Sequence, residues 1–143
     1  MKTIAMVLLT LFVLPAALAG EPRKEFLSGF VLGKYLLVGK GVDSTNTYFG
    51  HVDIYSEEGE LKVRRKIGSE TVLGTVEIDS ADRGDAKVLR VRFDRGGESY
   101  ENTCLIHGDL DNYARISCHL YLSERETKYP GLEVLFVDHS APK

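Results

Sequence analysis

The two cysteines of the chain, Cys104 and Cys118, are the residues with the most definite chemistry. Two thiols can form a disulfide, bind a metal or act as a redox pair, and the last two uses favour a CxxC spacing or histidines in phase with the cysteines. If residues 108–112 form a hairpin loop, Cys104 faces Cys118 across two antiparallel strands, just as Tyr100 faces Leu122. The spacing therefore predicts a structural disulfide between Cys104 and Cys118, formed in an oxidising compartment.

Histidines and a short acidic segment are the remaining candidates for metal binding. The histidines are His51, His107, His119 and His139. No two of them have the HxH or HxxxH spacing that would support a zinc site. Residues 109–112 resemble part of a calcium-binding loop, but the rest of the twelve-residue pattern is missing from the sequence. We therefore expect no metal and no other cofactor.

Two polar residues occupy positions at which the alternating pattern predicts the core. Arg65 is in phase with Val63 and Ile67, and Asn102 is in phase with Cys104. A buried arginine needs an acid or the face of an aromatic ring, and a buried amide needs hydrogen-bond partners. Either residue could anchor a ligand inside the protein. In the alternative interpretation, Arg65 lies at a barrel end, reaches water and caps the core.

Three tyrosines complete the predicted ligand-binding residues. Tyr35, Tyr48 and Tyr100 could line the mouth of a pocket, because tyrosine combines an apolar ring with a polar tip. The alternative is that they are ordinary half-buried strand residues. Together with Arg65 and Asn102, they form the candidate binding set.

The sequence offers little for catalysis. It contains no GxSxG elbow and no HExxH motif, and a disulfide would leave no free thiol. Carboxylates such as Asp79 and Asp82 lie in a predicted turn, where solvent keeps pKa values ordinary. Catalytic triads are assembled in space, so a hydrolase with a site built from loops stays a third hypothesis. We predict that the protein is not an enzyme.

A ladder of alternating segments must position these residues. Apolar side chains recur at every second position through residues 48–54, 61–67 and 72–78, which puts them on one face of each strand. The pattern continues to the end of the chain as about eight short strands, with no convincing helix after the first twenty residues. It predicts an all-β, antiparallel up-and-down barrel with one disulfide, or alternatively a β-sandwich.

The N-terminal segment has the features of a secretory signal. Lys2 precedes an apolar run over residues 4–14, and Ala17-Leu18-Ala19 matches the small-x-small cleavage pattern. The run is shorter than the ~20 residues that span a bilayer. We predict that residues 1–19 are cleaved and that residues 20–143 form a single domain in the periplasm or outside the cell, with no membrane span.

The charge balance limits the classes of partner. The chain has a formal net charge of −3, and removal of Lys2 makes it one unit more negative. A mildly acidic protein has no general attraction for nucleic acids or for anionic membranes. The expected partner is a small ligand or another periplasmic protein.

Residues 48–93 contain the patterns Y-x-G-x-V-x-I, G-x-L-x-V-x-R-x-I-G, G-x-x-x-I and L-x-V-x-F. This stretch resembles small secreted bacterial proteins with calycin-like β-barrels, in the broad company of lipocalins and avidins. The resemblance implies binding in or at the barrel without catalysis. The chain has no tryptophan, whereas lipocalins typically open with Gly-x-Trp and avidins line their biotin pocket with tryptophans. Biotin is therefore not the expected ligand.

Two functions follow from these patterns. The first is an exported carrier whose barrel holds a small apolar or amphipathic ligand. The second is a protein-interaction module, such as a periplasmic inhibitor or immunity protein, acting through loops and an outer face. The barrel interior discriminates between them: a ligand pocket of about 300–1,000 Å³ favours a carrier, and a filled interior favours an interaction module.

Overall fold

The computed structural model describes residues 22–81, 86–106 and 114–141. One helix is followed by eight strands: α1 (Pro22–Val31), β1 (Gly33–Lys40), β2 (Thr47–Glu57), β3 (Glu60–Ile67), β4 (Glu70–Ala81), β5 (Ala86–Arg95), β6 (Glu98–Ile106), β7 (Ala114–Leu122) and β8 (Gly131–Val137). The predicted signal peptide, residues 1–19, and the predicted hairpin loop, residues 108–112, lie outside the described residues.

The eight strands form a closed antiparallel barrel. Each strand pairs with its neighbours in the sequence, and β1 pairs with β8 to close the sheet. The alternation of apolar and polar residues explains this arrangement, because the apolar face of every strand then points into one shared core. The predicted up-and-down barrel is confirmed, and the sandwich alternative is not.

The pairing of β6 with β7 also follows the predicted register. Cys104 lies opposite Cys118, and Tyr100 lies opposite Leu122. The two cysteines form a disulfide that is buried inside the barrel. The structure confirms the predicted disulfide.

A tight turn between β2 and β3 fixes which face of β3 points inward. Glu58 and Gly59 both have positive φ, 53° and 82°, between the paired residues Glu57 and Glu60. Positive φ at both central positions is the geometry of a two-residue hairpin whose twist matches the flanking strands. A slip of one residue would reverse every side chain of β3, so this turn is what directs Arg65 into the barrel.

The expectation of no helix after residue 20 is wrong. Residues 22–31 form α1, in which Leu27, Phe30 and Val31 have the i, i+3, i+4 spacing of a helical face and pack against the core. Pro22 stands at the first helical position, where its missing N–H costs nothing. The Tyr35 hydroxyl donates a 2.7 Å hydrogen bond to the Val31 carbonyl, which would otherwise be an unpaired group at the helix end. We call the end of the barrel that α1 covers the lower end.

Two loops cover the opposite, upper end. The loop over residues 41–46 contributes Val42 to the core. The backbone N–H of Asp43 donates to the Tyr129 carbonyl at 2.9 Å, and the Tyr129 N–H donates back to Asp43 Oδ1 at 2.7 Å. This reciprocal pair ties the β1–β2 loop to the β7–β8 loop. Among the described residues, no helix is long and apolar enough to cross a membrane.

Removal of the disulfide is expected to destabilise the barrel. Cys104 and Cys118 are separated by 14 residues, and cross-linking a loop of that size restricts the unfolded chain by about 3 kcal/mol. The variant Cys104→Ala/Cys118→Ala should lose about that much free energy of unfolding in urea denaturation followed by circular dichroism. Wild-type protein in reducing agent should behave like the double variant. An unchanged urea midpoint in the double variant would show that the disulfide does not contribute to stability.

Candidate functional site

Four polar side chains meet inside the barrel, and we call them the buried polar cluster: Tyr48, Arg65, Asn102 and Glu133. They come from β2, β3, β6 and β8. Three of them stand within three residues of the strand ends that face the upper loops. The cluster therefore occupies the upper part of the barrel, whereas the part nearer α1 is apolar.

Arg65 and Glu133 form a buried bidentate ion pair. Arg65 Nη1 lies 3.0 Å from Glu133 Oε2, and Nη2 lies 2.5 Å from Oε1. The two side chains are only 3% and 0% exposed to solvent. The guanidinium fork matches the two carboxylate oxygens, which makes this the strongest kind of side-chain hydrogen bonding. Arg65 therefore points inward, and the alternative in which it reaches water at a barrel end does not hold.

Two further donors complete the environment of the Glu133 carboxylate. The Tyr48 hydroxyl donates a hydrogen bond to Oε1, and Asn102 Nδ2 donates one to Oε2 at 2.7 Å. With the two hydrogen bonds from Arg65, the carboxylate accepts four, which fills its usual capacity. Glu133 is thus the centre of the cluster.

Gly39 makes the contact between Tyr48 and Glu133 sterically feasible. Tyr48, Gly39 and Glu133 are direct neighbours in one row across β2, β1 and β8. A Cβ atom on Gly39 would lie 2.5 Å from the Tyr48 ring. Because glycine has no side chain, the ring lies across β1 and its hydroxyl reaches Glu133.

Aromatic rings pack against the charged pair. The Arg65 guanidinium lies 4.0 Å from the centroid of the Phe93 ring. Phe93 in turn stacks on Tyr100, with ring centroids 5.4 Å apart. Arg65 therefore has both an acid and an aromatic face as partners, and either one can stabilise a buried arginine.

The cluster shifts the pKa values of its two acids in opposite directions. Burial alone would raise the pKa of the Glu133 carboxyl, but the Arg65 charge and the hydrogen bonds from Arg65, Tyr48 and Asn102 outweigh burial and hold that pKa below its usual value. Burial and the neighbouring Glu133 charge raise the pKa of the Tyr48 hydroxyl well above its usual range. Glu133 is thus ionised and Tyr48 neutral at physiological pH.

Two atoms of the cluster remain without a hydrogen bond to the described residues. These atoms are Arg65 Nε and Asn102 Oδ1, and both are buried. The first is a donor and the second an acceptor. This donor and this acceptor are available for hydrogen bonding to a guest molecule.

The structure brings together most of the predicted binding residues. Arg65, Asn102 and Tyr48 belong to the cluster, and Tyr100 joins it through Phe93. Tyr35 does not, because it lies near α1 and donates to the Val31 carbonyl.

Sequence reasoning missed Glu133. Its signal was its phase, since Glu133 is two residues from buried Leu135 and both side chains point inward. The continuous apolar run over residues 134–137 obscured that alternation. A buried arginine also implied an acid somewhere on an inward face.

The most pronounced clefts lie away from the cluster. Five of them, of 170 to 640 Å³, open among the described residues on the outer wall and at the rims of the barrel. None of the five is lined by Arg65, Asn102 or Glu133. The interior instead holds one contiguous cluster of buried side chains that includes the disulfide.

Apolar side chains also cover part of the outer wall, and we call them the outer apolar patch: Leu36, Val38, Phe49, Leu132, Val134 and Phe136. Phe49 is 70% exposed, and Leu36, Val38 and Leu132 are also exposed. The patch is contiguous, because Val38 pairs with Phe49 on one side and with Val134 on the other. Neighbouring side chains on one face of a sheet are about 5 Å apart at Cβ.

No protein-family model matches this chain, and a search of curated proteins finds no relative. The closed eight-stranded barrel is consistent with the calycin-like fold that the sequence resembles. Membership of the lipocalins or avidins and a bacterial origin stay predictions.

The ion pair should show strong energetic coupling in a double-mutant cycle. Arg65→Met or Glu133→Met alone leaves a buried charge without its partner, and each should cost about 3–5 kcal/mol of unfolding free energy. The double variant Arg65→Met/Glu133→Met should cost clearly less than the sum of the two, because it leaves no unpaired charge. Urea denaturation of the four proteins measures the coupling. Additive losses would mean that the pair does not act as a unit.

The contribution of Glu133 should disappear in acid. Because its folded-state pKa lies below the ordinary value of 4.5, its ionisation stabilises the folded state above that pH, and this stabilisation falls as the pH drops through the folded-state pKa. The difference in unfolding free energy between wild type and Glu133→Gln should therefore be constant above about pH 5 and shrink below it. Chemical denaturation at several pH values measures this difference, with Glu124→Gln as an exposed control. A difference that stays constant down to pH 3 would contradict the assignment.

Proposed function

We propose that this protein is an exported, non-enzymatic binding protein that recognises another protein through the outer wall of its barrel. The main observation in favour of this proposal is that Glu133, a residue of the barrel itself, forms the ion pair with Arg65. A carrier of an anionic ligand would need Arg65 free to bind the ligand's charge, but Glu133 already takes both terminal nitrogens. The two charges inside the barrel are thereby neutralised within the chain.

The outer wall offers what the interior does not. Contiguous exposed apolar patches are uncommon on proteins that act alone and are typical of interaction sites. The outer apolar patch places Phe49 and Leu36 next to an open cleft of about 570 Å³. This surface, rather than the buried polar cluster, is the better candidate for contact with a partner.

The chemistry of the cluster supports a role without catalysis. A carboxylate that accepts four hydrogen bonds and has a lowered pKa is a poor general base. A tyrosine whose pKa is strongly raised stays protonated and is a poor nucleophile. The cluster is therefore better suited to holding β2, β3, β6 and β8 together than to activating a substrate.

The proposed location outside the cytoplasm has two supports. The disulfide fits an oxidising compartment. The N-terminal sequence predicts a cleaved signal, as described above.

A small-molecule carrier is the second candidate function. Arg65 Nε and Asn102 Oδ1 favour it, because a neutral guest with one acceptor and one donor would complete their hydrogen bonds. Native mass spectrometry of protein purified from its own cells tests this candidate. A stoichiometric small ligand that is lost in Asn102→Leu would support the carrier over the interaction module.

The interaction function is tested by comparative capture. The full chain, expressed in its own host and tagged at the C-terminus, should retain a protein partner from the extracellular or envelope fraction. Phe49→Ser should reduce that partner about tenfold or more, as expected for an exposed aromatic at the centre of an interface. Leu105→Ser is the matched control, because Leu105 is also an exposed apolar residue but lies on β6, outside the patch. Equal capture by wild type and Phe49→Ser would contradict a role for this face.

A further inference from the structure

The cleft beside the outer apolar patch is concave and only partly apolar. It has a volume of about 570 Å³. Its lining residues are Leu36, Leu37, Val38, Phe49, Gly50, His51, Lys66, Gly68 and Phe136. Leu36 lies directly opposite Phe136 on one neighbouring strand and opposite His51 on the other. One or two apolar side chains of a partner fit in a space of this size.

One charged residue, Lys66, lines the cleft, and Lys66 also lines a neighbouring cleft that contains Asp53 and Asp138. A second cation, Lys40, borders the patch in the row between Thr47 and Leu132 and lines a separate cleft with Asp43. Neither lysine makes an ion pair within the described ranges. No aspartate or glutamate lines the cleft.

Cations on another part of the barrel wall form ion pairs with acidic residues. Arg90 pairs with Asp79 at 2.7 Å and with Glu101 at 2.8 Å. Arg92 pairs with Glu101 and with Glu77. In a chain whose net charge is negative, Lys66 at the cleft and Lys40 at the edge of the patch are cations without an ion pair among the described residues, which favours a partner that carries carboxylates.

Closure of the barrel restricts how a partner can bind. Many domains bind an extended peptide by adding it as a strand to a free sheet edge. Here every described strand is paired on both sides, because β1 closes on β8. Recognition at the outer wall must therefore depend on side chains and not on backbone hydrogen bonds.

We infer that the partner presents an amphipathic segment whose apolar side chains enter the cleft between Leu36, Phe49 and Phe136 and whose carboxylates contact Lys66 and Lys40. This inference rests on the proposed protein-binding function and specifies the chemistry of the partner. Apolar contact supplies most of the binding free energy at the centre of such an interface, and the charges at the rim add specificity and speed of association.

Two other occupants fit the surface less well. A second copy of this chain would place its own Lys66 and Lys40 against those of the first in a two-fold arrangement, with no acid of the cleft lining to pair with them. An anionic membrane would match Lys66 and the exposed Phe49 ring, but a chain of negative net charge has no general attraction for such a surface. A protein segment satisfies both the charge and the shape.

The probes for this inference are three synthetic amphipathic peptides of about fifteen residues. They share the same leucine and phenylalanine positions and differ only in their polar positions, which are all glutamate, all glutamine or all lysine. Fluorescence anisotropy with the full-length protein compares their affinities. We expect the glutamate peptide to bind about tenfold or more tightly than the lysine peptide at low salt, with the difference reduced at about 0.5 M NaCl because salt screens the charges.

Two substitutions separate the apolar and the charged contributions. Phe49→Ser should weaken all three peptides. Lys66→Glu should weaken the glutamate peptide and strengthen the lysine peptide. Lys62→Glu is the control on the same strand with the same charge change. Lys62 does not line the cleft and, unlike Lys66, is ion-paired with Glu60 at 2.5 Å. NMR chemical shifts of Leu36, Val38 and Phe49 should respond to the glutamate peptide.

Each outcome decides the inference. Equal binding of the glutamate and lysine peptides, or equal effects of Lys66→Glu and Lys62→Glu, would overturn it. So would patch-dependent binding to vesicles that contain phosphatidylglycerol, or dimerisation in sedimentation that Phe49→Ser abolishes. A further outcome is that comparative capture shows a partner that is lost in Phe49→Ser while the peptides show no charge preference. In that case the inference that the partner segment is acidic is wrong, and the proposed protein-binding function stands. If capture fails as well, both are wrong.

Discussion

The burial of the Arg65–Glu133 ion pair is the constraint around which the upper half of this barrel is organised. Removing two charges from water is costly, and the attraction between them offsets that cost only when the geometry is good and the remaining hydrogen-bonding groups are satisfied. Tyr48 and Asn102 supply the additional donors to Glu133, and Phe93 supplies an aromatic face for Arg65. Gly39 supplies the space that Tyr48 crosses. Five other structural features thus follow from the presence of one charged pair: two donors, one ring, one glycine and an inward register of β3.

The ion pair also makes the interior of the barrel chemically different from its outer wall. Inside, each charge has its partner within the chain, and the surrounding side chains leave two polar atoms unpaired among the described residues. Outside, apolar residues of β8, β1 and β2 face solvent beside Lys66, which lines a cleft that has no acid in its lining. The charged groups of the interior are paired with each other, whereas the apolar groups of the outer wall are exposed to solvent. This contrast is what supports the proposal of a protein partner over a small cargo.

The sequence was sufficient for the features that depend on local periodicity. Alternation over residues 48–78 predicts the faces of three strands, and the hairpin spacing around residue 111 predicts that Cys104 meets Cys118. The same alternation puts Arg65 and Asn102 in core phase, but it left open whether Arg65 lies inside the barrel or reaches water at a barrel end.

Features that depend on distant residues could not be obtained in this way. Glu133 lies 68 residues from Arg65, and only the closure of β8 on β1 brings the two together. α1 was missed because its ten residues carry a weak helical signal, and its stability comes from packing Val31 into the barrel. The outer apolar patch was missed because its members come from three strands that are adjacent only in the closed sheet.

The pairing of β1 with β8 also has a consequence for how the chain assembles during its synthesis. Strands β1 to β7 can form successive hairpins as they emerge, since each pairs with the one before it. Arg65 is then already in the growing sheet, but its acid is on the strand that is made last. Until β8 arrives, the sheet has two open edges and an uncompensated charge on its apolar face. The last strand therefore completes the backbone pairing and neutralises the core in a single event, and a chain truncated before residue 131 has neither.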